Sequence, residues 1–149
     1  MTKDLKLLAM DAEDLTVVSA HLQDAVMRVE DLVFSGGDGK LLLGLNRFTW
    51  EAKPVRRFFS RQYGRRRSIL QIDRITGLRS KGVDRSNKDA VLSILTVTFH
   101  SENVDDPSGV ITITFSGEAS LQARVECIEV RLSDQGGAWA ASSHPRHHF

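Results

Sequence analysis

The sequence predicts one α+β domain, a curled and mostly antiparallel sheet or partly open barrel of about seven strands. One helical pattern near the N-terminus is followed by apolar runs that alternate with the two-residue period of strands. Short polar or glycine-rich turns separate these runs, which favours successive antiparallel strands over a βαβ series. A pleckstrin-homology-like roll is one arrangement of this kind.

The early elements form a strand, a helix and a hairpin. Leu5–Met10 is a short opening strand, and Asp11 is placed to cap a helix over residues 12–24, where Leu15, Val18 and Leu22 recur at helical spacing. Strands over Val26–Phe34 and Lys40–Trp50 then flank a turn with three glycines and an aspartate, typical of a hairpin.

The later runs are predicted strands, and imperfect alternation at residues 73–74 predicts a bulge there. They are Ser68–Arg79, Val91–Phe99, Val110–Phe115 and the alternation through Leu121, Ala123 and Val125. The pattern then breaks, because Ile128, Arg131 and Leu132 suit a short last helix near residues 127–134. A continued strand is the alternative.

Length and composition fit a single globular domain. The chain has 149 residues, of which 41% are hydrophobic and 26% charged. We predict a domain over residues 1–140 and a frayed, His-rich tail over residues 141–149. Cys127 is the single cysteine, which favours a reducing, cytoplasmic location. No apolar run approaches the ~20 residues of a membrane span, so a membrane is not an expected partner.

Charge is distributed unevenly along the chain. Residues 53–88 hold 12 basic and two acidic residues, although the whole chain has a formal net charge of only +1. The densest part, residues 53–67, interleaves aromatic rings with bases and has no acid. Its candidate anion-binding residues are Lys53, Arg56, Arg57, Arg61, Arg65, Arg66 and Arg67, with Phe58 and Tyr63 as stacking or anchoring residues.

This basic segment indicates a small binding or adaptor module. Arginine can bind phosphate through two parallel hydrogen bonds, and aromatic rings can stack on bases. We therefore expect an anionic partner: RNA, DNA or an acidic protein surface. The alternative is a homo-oligomer in which the basic segment meets the acidic region over residues 11–31 of another copy.

The remaining candidate groups favour a non-enzymatic role with no cofactor. His21 is predicted on the helix surface, and His100 on the polar face of a strand. Cys127 continues the buried phase of the alternation as a small apolar residue. The three histidines of the tail have no second cluster of ligands that would complete a metal site. No constellation combines a nucleophile, a base and an orienting group. An enzyme with a pocket formed only in three dimensions stays open as a third possibility.

Several motifs together resemble one family. They are the run from Asp11 to Leu15, residues 19–25, Leu45-Asn-Arg-Phe48 with Trp50-Glu51, Arg65–Arg67, Gly82-Val-Asp84 and Glu126–Glu129. The sequence is thereby identified as similar to the Domain of Unknown Function 2948 family of uncharacterised alphaproteobacterial proteins, over nearly the whole chain. The resemblance implies a bacterial source and no assigned activity or catalytic residue.

Overall fold

A computed structural model describes residues 4–48 and 65–135. Within these ranges lie one α-helix, ten strands and two short 3-10 turns. The helix is α1 (Ala12–Leu22), and the turns are Val29–Asp31 and Ser116–Glu118. The strands are β1 (Lys6–Ala9), β2 (Val26–Arg28), β3 (Leu32–Ser35), β4 (Lys40–Phe48), β5 (Arg65–Ile72), β6 (Ile75–Lys81), β7 (Val91–Ser101), β8 (Gly109–Phe115), β9 (Ala119–Val125) and β10 (Val130–Asp134).

The strands form one antiparallel sheet in the order β1-β10-β5-β4-β2-β7-β8-β9-β6, with β3 added beside β4. The short strand β2 joins two halves of this sheet, because Val26 pairs with Asn46 of β4 and with Ser93 of β7. The described path ends at β1 and β6, which do not pair with each other, so this sheet is open. This arrangement confirms the predicted antiparallel sheet with one early helix.

Helix α1 forms where the sequence predicts it. The Asp11 side chain accepts a hydrogen bond from the Asp14 backbone N–H at 2.8 Å, which satisfies one of the unpaired donors of the first turn. Leu15, Val18 and Leu22 are buried against the sheet. The Ser19 hydroxyl accepts a hydrogen bond from the Val97 backbone N–H, so α1 is also tied to β7.

A single hydrophobic core lies between the inward faces of the two halves of the sheet and α1. In β8, Ile111, Ile113 and Phe115 point inward, as their alternation predicts. Burial at this level removes each large side chain from water and stabilises the fold by roughly 1.5–3 kcal/mol per residue. Further core positions are Leu41, Leu43, Leu45, Leu70, Ile72, Leu121, Val125, Val130 and Leu132.

Ten strands replace the predicted seven, partly because two predicted strands each contain a break. The run 26–34 is interrupted by the 3-10 turn Val29–Asp31, so it becomes β2 and β3. The run 68–79 is divided at Asp73 and Arg74 into β5 and β6, and these strands belong to different halves of the sheet. Arg74 adopts a φ of 65°, a left-handed conformation, at the point where the chain passes from one half of the sheet to the other.

The predicted late helix is wrong, since residues 130–134 form β10. This strand lies between β1 and β5 and buries Val130, Leu132 and Asp134 on one face. Ile128 and Leu132 are four residues apart, a spacing that satisfies both the helical period and the two-residue period of a strand. Pairing with two neighbouring strands decides for the strand.

Candidate anion-binding surface

Strands β4 and β5 pair as a hairpin, and the last three residues of the basic segment, 65–67, begin β5. Their ladder runs from Leu41 paired with Ile72 to Phe48 paired with Arg65. The connection between them is residues 49–64, which lie outside the described residues. The candidate residues that fall in this connection are Lys53, Arg56, Arg57, Phe58, Arg61 and Tyr63.

The three described candidates have different environments. The Arg65 guanidinium lies over the Phe48 ring, 4.1 Å from its centroid, in cation–π geometry. Arg66 forms an ion pair with Asp4. Arg67 Nη2 lies 3.4 Å from Asp31 Oδ2. We call residues 65–67 the root of the basic segment. Their contacts with Asp4 and Asp31 tie this root to residues next to β1 and β3.

A buried ion pair lies under this root. Arg47 Nε and Nη2 donate to the two carboxylate oxygens of Asp134 at 2.9 and 2.8 Å, and both side chains are fully buried. Ser68 Oγ donates to the same carboxylate at 2.6 Å, and the Leu5 backbone N–H donates at 2.8 Å. Arg47 Nη1 also donates to the Phe48 carbonyl at 3.1 Å. Residues of β1, β4, β5 and β10 or their immediate flanks thus meet at one carboxylate.

Hydrogen bonding keeps the Asp134 carboxylate charged. Burial alone would raise the pKa of Asp134, but hydrogen bonds from Arg47, Ser68 and Leu5 outweigh it and lower that pKa below its ordinary value. Because the guanidinium meets the carboxylate through two parallel bonds, the pair also fixes the relative position of β4 and β10.

Strand alternation places this pair inside. Arg47 follows Leu41, Leu43 and Leu45 on the inward face of β4, and Ser68 and Asp134 continue the inward faces of β5 and β10. The register puts Leu45 opposite Ser68, and Ser68 opposite Asp134. Sequence reasoning missed the pair, and its available signal was a polar residue on the buried phase of an otherwise apolar strand.

A cleft lies beside the root of the basic segment. It has a volume of about 330 Å³ and is lined by Val29, Glu30, Leu32, Arg85 and Lys88. Asp31 lies in the sequence between the lining residues Glu30 and Leu32, and its carboxylate contacts Arg67 of the root. Arg85 and Lys88 belong to the basic stretch 53–88 but lie outside its densest part, residues 53–67, which supplied the predicted anion-binding residues.

A second network of charges stabilises the junction of β5, β6 and β10. Gln71 Nε2 donates to both carboxylate oxygens of Asp73, and Arg131 Nη1 donates to one of them at 3.1 Å. Arg74 Nε donates to Glu129 at 3.1 Å. This hydrogen bond and the charge of Glu129 raise the pKa of Arg74. The network ties the passage from β5 to β6 at Asp73 and Arg74 to residues of β10 and its N-terminal flank.

The other candidate groups have local roles in the described structure. His21 Nδ1 lies 2.9 Å from the Val17 carbonyl one helical turn earlier, and His100 is exposed on β7. Cys127 is half-buried rather than buried, because it lies in the connection between β9 and β10. The tail histidines lie outside the described residues. Residues 4–48 and 65–135 contain no group of three or more His, Cys, Asp or Glu that could hold a metal ion.

Charge divides between the described body and the β4–β5 connection. Residues 4–48 and 65–135 contain 14 basic and 18 acidic residues, a net charge of −4. The connection 49–64 contains four basic residues and one acidic residue, a net charge of +3. The cationic excess of the chain is therefore concentrated in the connection and not in the body.

These features define a small antiparallel-sheet domain with a basic hairpin connection. The chain belongs to the family described as Protein of unknown function (DUF2948), whose model matches residues 5–147, and this confirms the resemblance found in the sequence motifs. No curated protein and no solved structure matches the chain. In the two described ranges, no helix has the length and apolar character needed to cross a membrane.

Proposed function

We propose that this protein is a non-enzymatic binding module that uses the connection 49–64 to bind single-stranded nucleic acid, with RNA as the leading ligand. The observation that carries the proposal is the division of charge, a connection of +3 on a body of −4. A body of net negative charge repels a polyanion overall, so we expect the strongest attraction at the basic connection and its root. Phe58 and Tyr63 supply aromatic faces for stacking.

The root of the hairpin supports this role. A long connection positions its ligand only if its two ends are held, and here the ends are held by the β4–β5 ladder and the buried Arg47–Asp134 pair. Arg65 is exposed at the last register pair and adds a cation at the mouth of the connection. We also retain two predictions beside this function, a cytoplasmic location and a pleckstrin-homology-like roll.

The second candidate function is a homo-oligomer in which the basic connection meets the acidic body of another copy. The same charge division favours it, because Asp11, Glu13 and Asp14 are exposed at the start of α1. In contrast, Asp31 contacts Arg67 of its own chain and Glu30 contacts Arg28, which reduces the acidic surface available to a second copy.

Fluorescence anisotropy with a labelled single-stranded RNA and a labelled DNA duplex tests the proposal at low and near-physiological salt. The triple variant Arg56→Ala, Arg57→Ala, Arg61→Ala should weaken RNA binding and make it less sensitive to salt. The negative slope of log K against log salt should become shallower by about 2, at about 0.7 per lost phosphate contact on a single strand. The matched control removes three exposed bases of the body, Lys6, Arg79 and Lys81. It should change the slope much less.

Two outcomes contradict the proposal. If RNA does not bind at near-physiological salt, single-stranded RNA is not a ligand of the basic connection. If the control triple variant weakens binding as much as the connection variant, attraction depends on total charge and not on the connection. A mass that rises with protein concentration, and that falls for the connection variant in sedimentation, would favour the homo-oligomer.

A further inference from the structure

The cleft beside the root has two walls that are tied together. One wall is the 3-10 turn Val29–Asp31, and the other is the loop before β7. The Val29 backbone N–H donates to the Ala90 carbonyl at 2.9 Å, and the Glu30 N–H donates to the Lys88 carbonyl at 3.1 Å. Because backbone hydrogen bonds join the walls, the cleft of about 330 Å³ is preformed, at the lower end of the usual size for ligand sites.

The cations of the cleft are available to a ligand. Within residues 4–48 and 65–135, the side chains of Arg85 and Lys88 have no hydrogen-bond or ion-pair partner. The acid next to Arg85 is engaged elsewhere, since Asp84 accepts hydrogen bonds from the Ser86 hydroxyl at 2.6 Å and the Ser86 backbone N–H at 3.0 Å. Those bonds lower the pKa of Asp84 and hold its carboxylate in its own turn.

The remaining lining residues give the cleft a mixed character. Val29 and Leu32 contribute an apolar floor, and Val29 is 7% exposed. Glu30 contributes a carboxylate that lies 3.4 Å from Arg28. A ligand that fits this lining carries a negative group for Arg85 and Lys88, an apolar ring or sugar face for the floor, and a donor for Glu30.

We propose that this cleft binds one nucleoside phosphate unit, with the phosphate between Arg85 and Lys88 and the nucleoside against Val29 and Leu32. The inference rests on the proposed function for the choice of a nucleic-acid strand as the source of that unit. Asp31, the sequence neighbour of the lining residues Glu30 and Leu32, pairs with Arg67, two residues from the mouth of the connection at Arg65. In this proposal, a strand bound at the connection passes Arg67 and places one of its phosphates in the cleft.

The test compares two variants of equal charge with two probes. Arg85→Ala with Lys88→Ala removes the cations of the cleft, and Arg79→Ala with Lys81→Ala removes two exposed cations of β6. The probes are a labelled single-stranded RNA, followed by anisotropy, and adenosine 5′-monophosphate, followed by amide chemical shifts. We expect the cleft variant to bind RNA about tenfold more weakly, with a salt slope lower by about 1.4, and the β6 variant to change affinity less than about twofold.

The outcomes separate this inference from the proposed function. RNA binding that falls equally in both variants overturns the cleft site and leaves the proposed function intact. Nucleotide-induced shifts at residues 29–32 and 85–88 that vanish in the cleft variant, in a protein that does not bind RNA, support a free nucleotide as the ligand and overturn only the proposed function. The absence of both RNA binding and nucleotide shifts overturns both. Circular dichroism of the two variants should be unchanged, because all four residues are exposed.

Discussion

The substitution Asp134→Asn should lower the free energy of unfolding more than the substitution of any exposed charged residue. The Asp134 carboxylate accepts hydrogen bonds from Arg47, Ser68 and the Leu5 backbone, and Arg47 is fully buried. Asparagine has nearly the same shape but no charge, so it leaves the Arg47 guanidinium buried without its counter-ion. Removing one partner of a buried ion pair costs about 3–5 kcal/mol of the free energy of unfolding. At about 3 °C per kcal/mol, the melting temperature should fall by about 9–15 °C.

Urea denaturation followed by circular dichroism measures this loss, with Asp4→Asn as the matched control. Asp4 also pairs with an arginine, Arg66, but its side chain is 45% exposed, so this variant should lose less than about 1 kcal/mol. The double variant Arg47→Met, Asp134→Leu should be more stable than Asp134→Asn alone, because no charge is then left buried. A loss under about 1 kcal/mol for Asp134→Asn, or a double variant no more stable than Asp134→Asn, would contradict the role given to this ion pair.

Three further predictions follow from the contacts of the described residues. The free energy of unfolding should decrease as the pH drops below about 4. The pKa of Asp134 is lower in the folded chain than in the unfolded chain, so the unfolded state binds the proton first as the pH drops. Denaturation curves at several pH values measure this decrease, which should be smaller for Asp134→Asn. Gly39→Ala should cost more than about 1 kcal/mol, because Gly39 has a φ of 63° and an added Cβ would lie 2.7 Å from the Ile75 carbonyl; Gly37→Ala has open space and should be neutral, and equal urea midpoints for the two variants would contradict this. Asp11→Ala should cost about 1 kcal/mol through loss of the helix cap, and an unchanged thermal midpoint would count against that role.

The sequence predicted those elements whose signal is local. The α1 cap depends on Asp11 and Asp14, three residues apart, and the inward face of β8 depends on strict alternation from Ile111 to Phe115. The hairpin turn of residues 36–39 likewise depends on adjacent residues. Local geometry decides these elements, because hydrogen bonds and side-chain periodicity within a few residues are enough to specify them.

The predictions of a late helix and of one strand over residues 68–79 were wrong, because pairing with distant strands decides the structure there. β10 is a strand because β1 and β5 flank it, and neither neighbour is visible in the pattern of residues 127–134. The predicted strand over 68–79 is broken because Arg74 turns the chain from one half of the sheet to the other. An imperfect alternation marked that position, but only the pairing of β6 with β9 shows where the chain continues.

The fold class, the family and the basic character of residues 53–67 could be predicted from the sequence, because these depend on composition, order and local periodicity. Which charges pair with one another and which face solvent became visible only in the folded chain. It brings Arg47 and Asp134 together across 87 residues of sequence, and it pairs Arg66 and Arg67 with carboxylates of their own chain. It also places Arg85 and Lys88 beside the turn Val29–Asp31. The physical reason is that an ion pair depends on distance and burial in space, and charge order along a chain specifies neither.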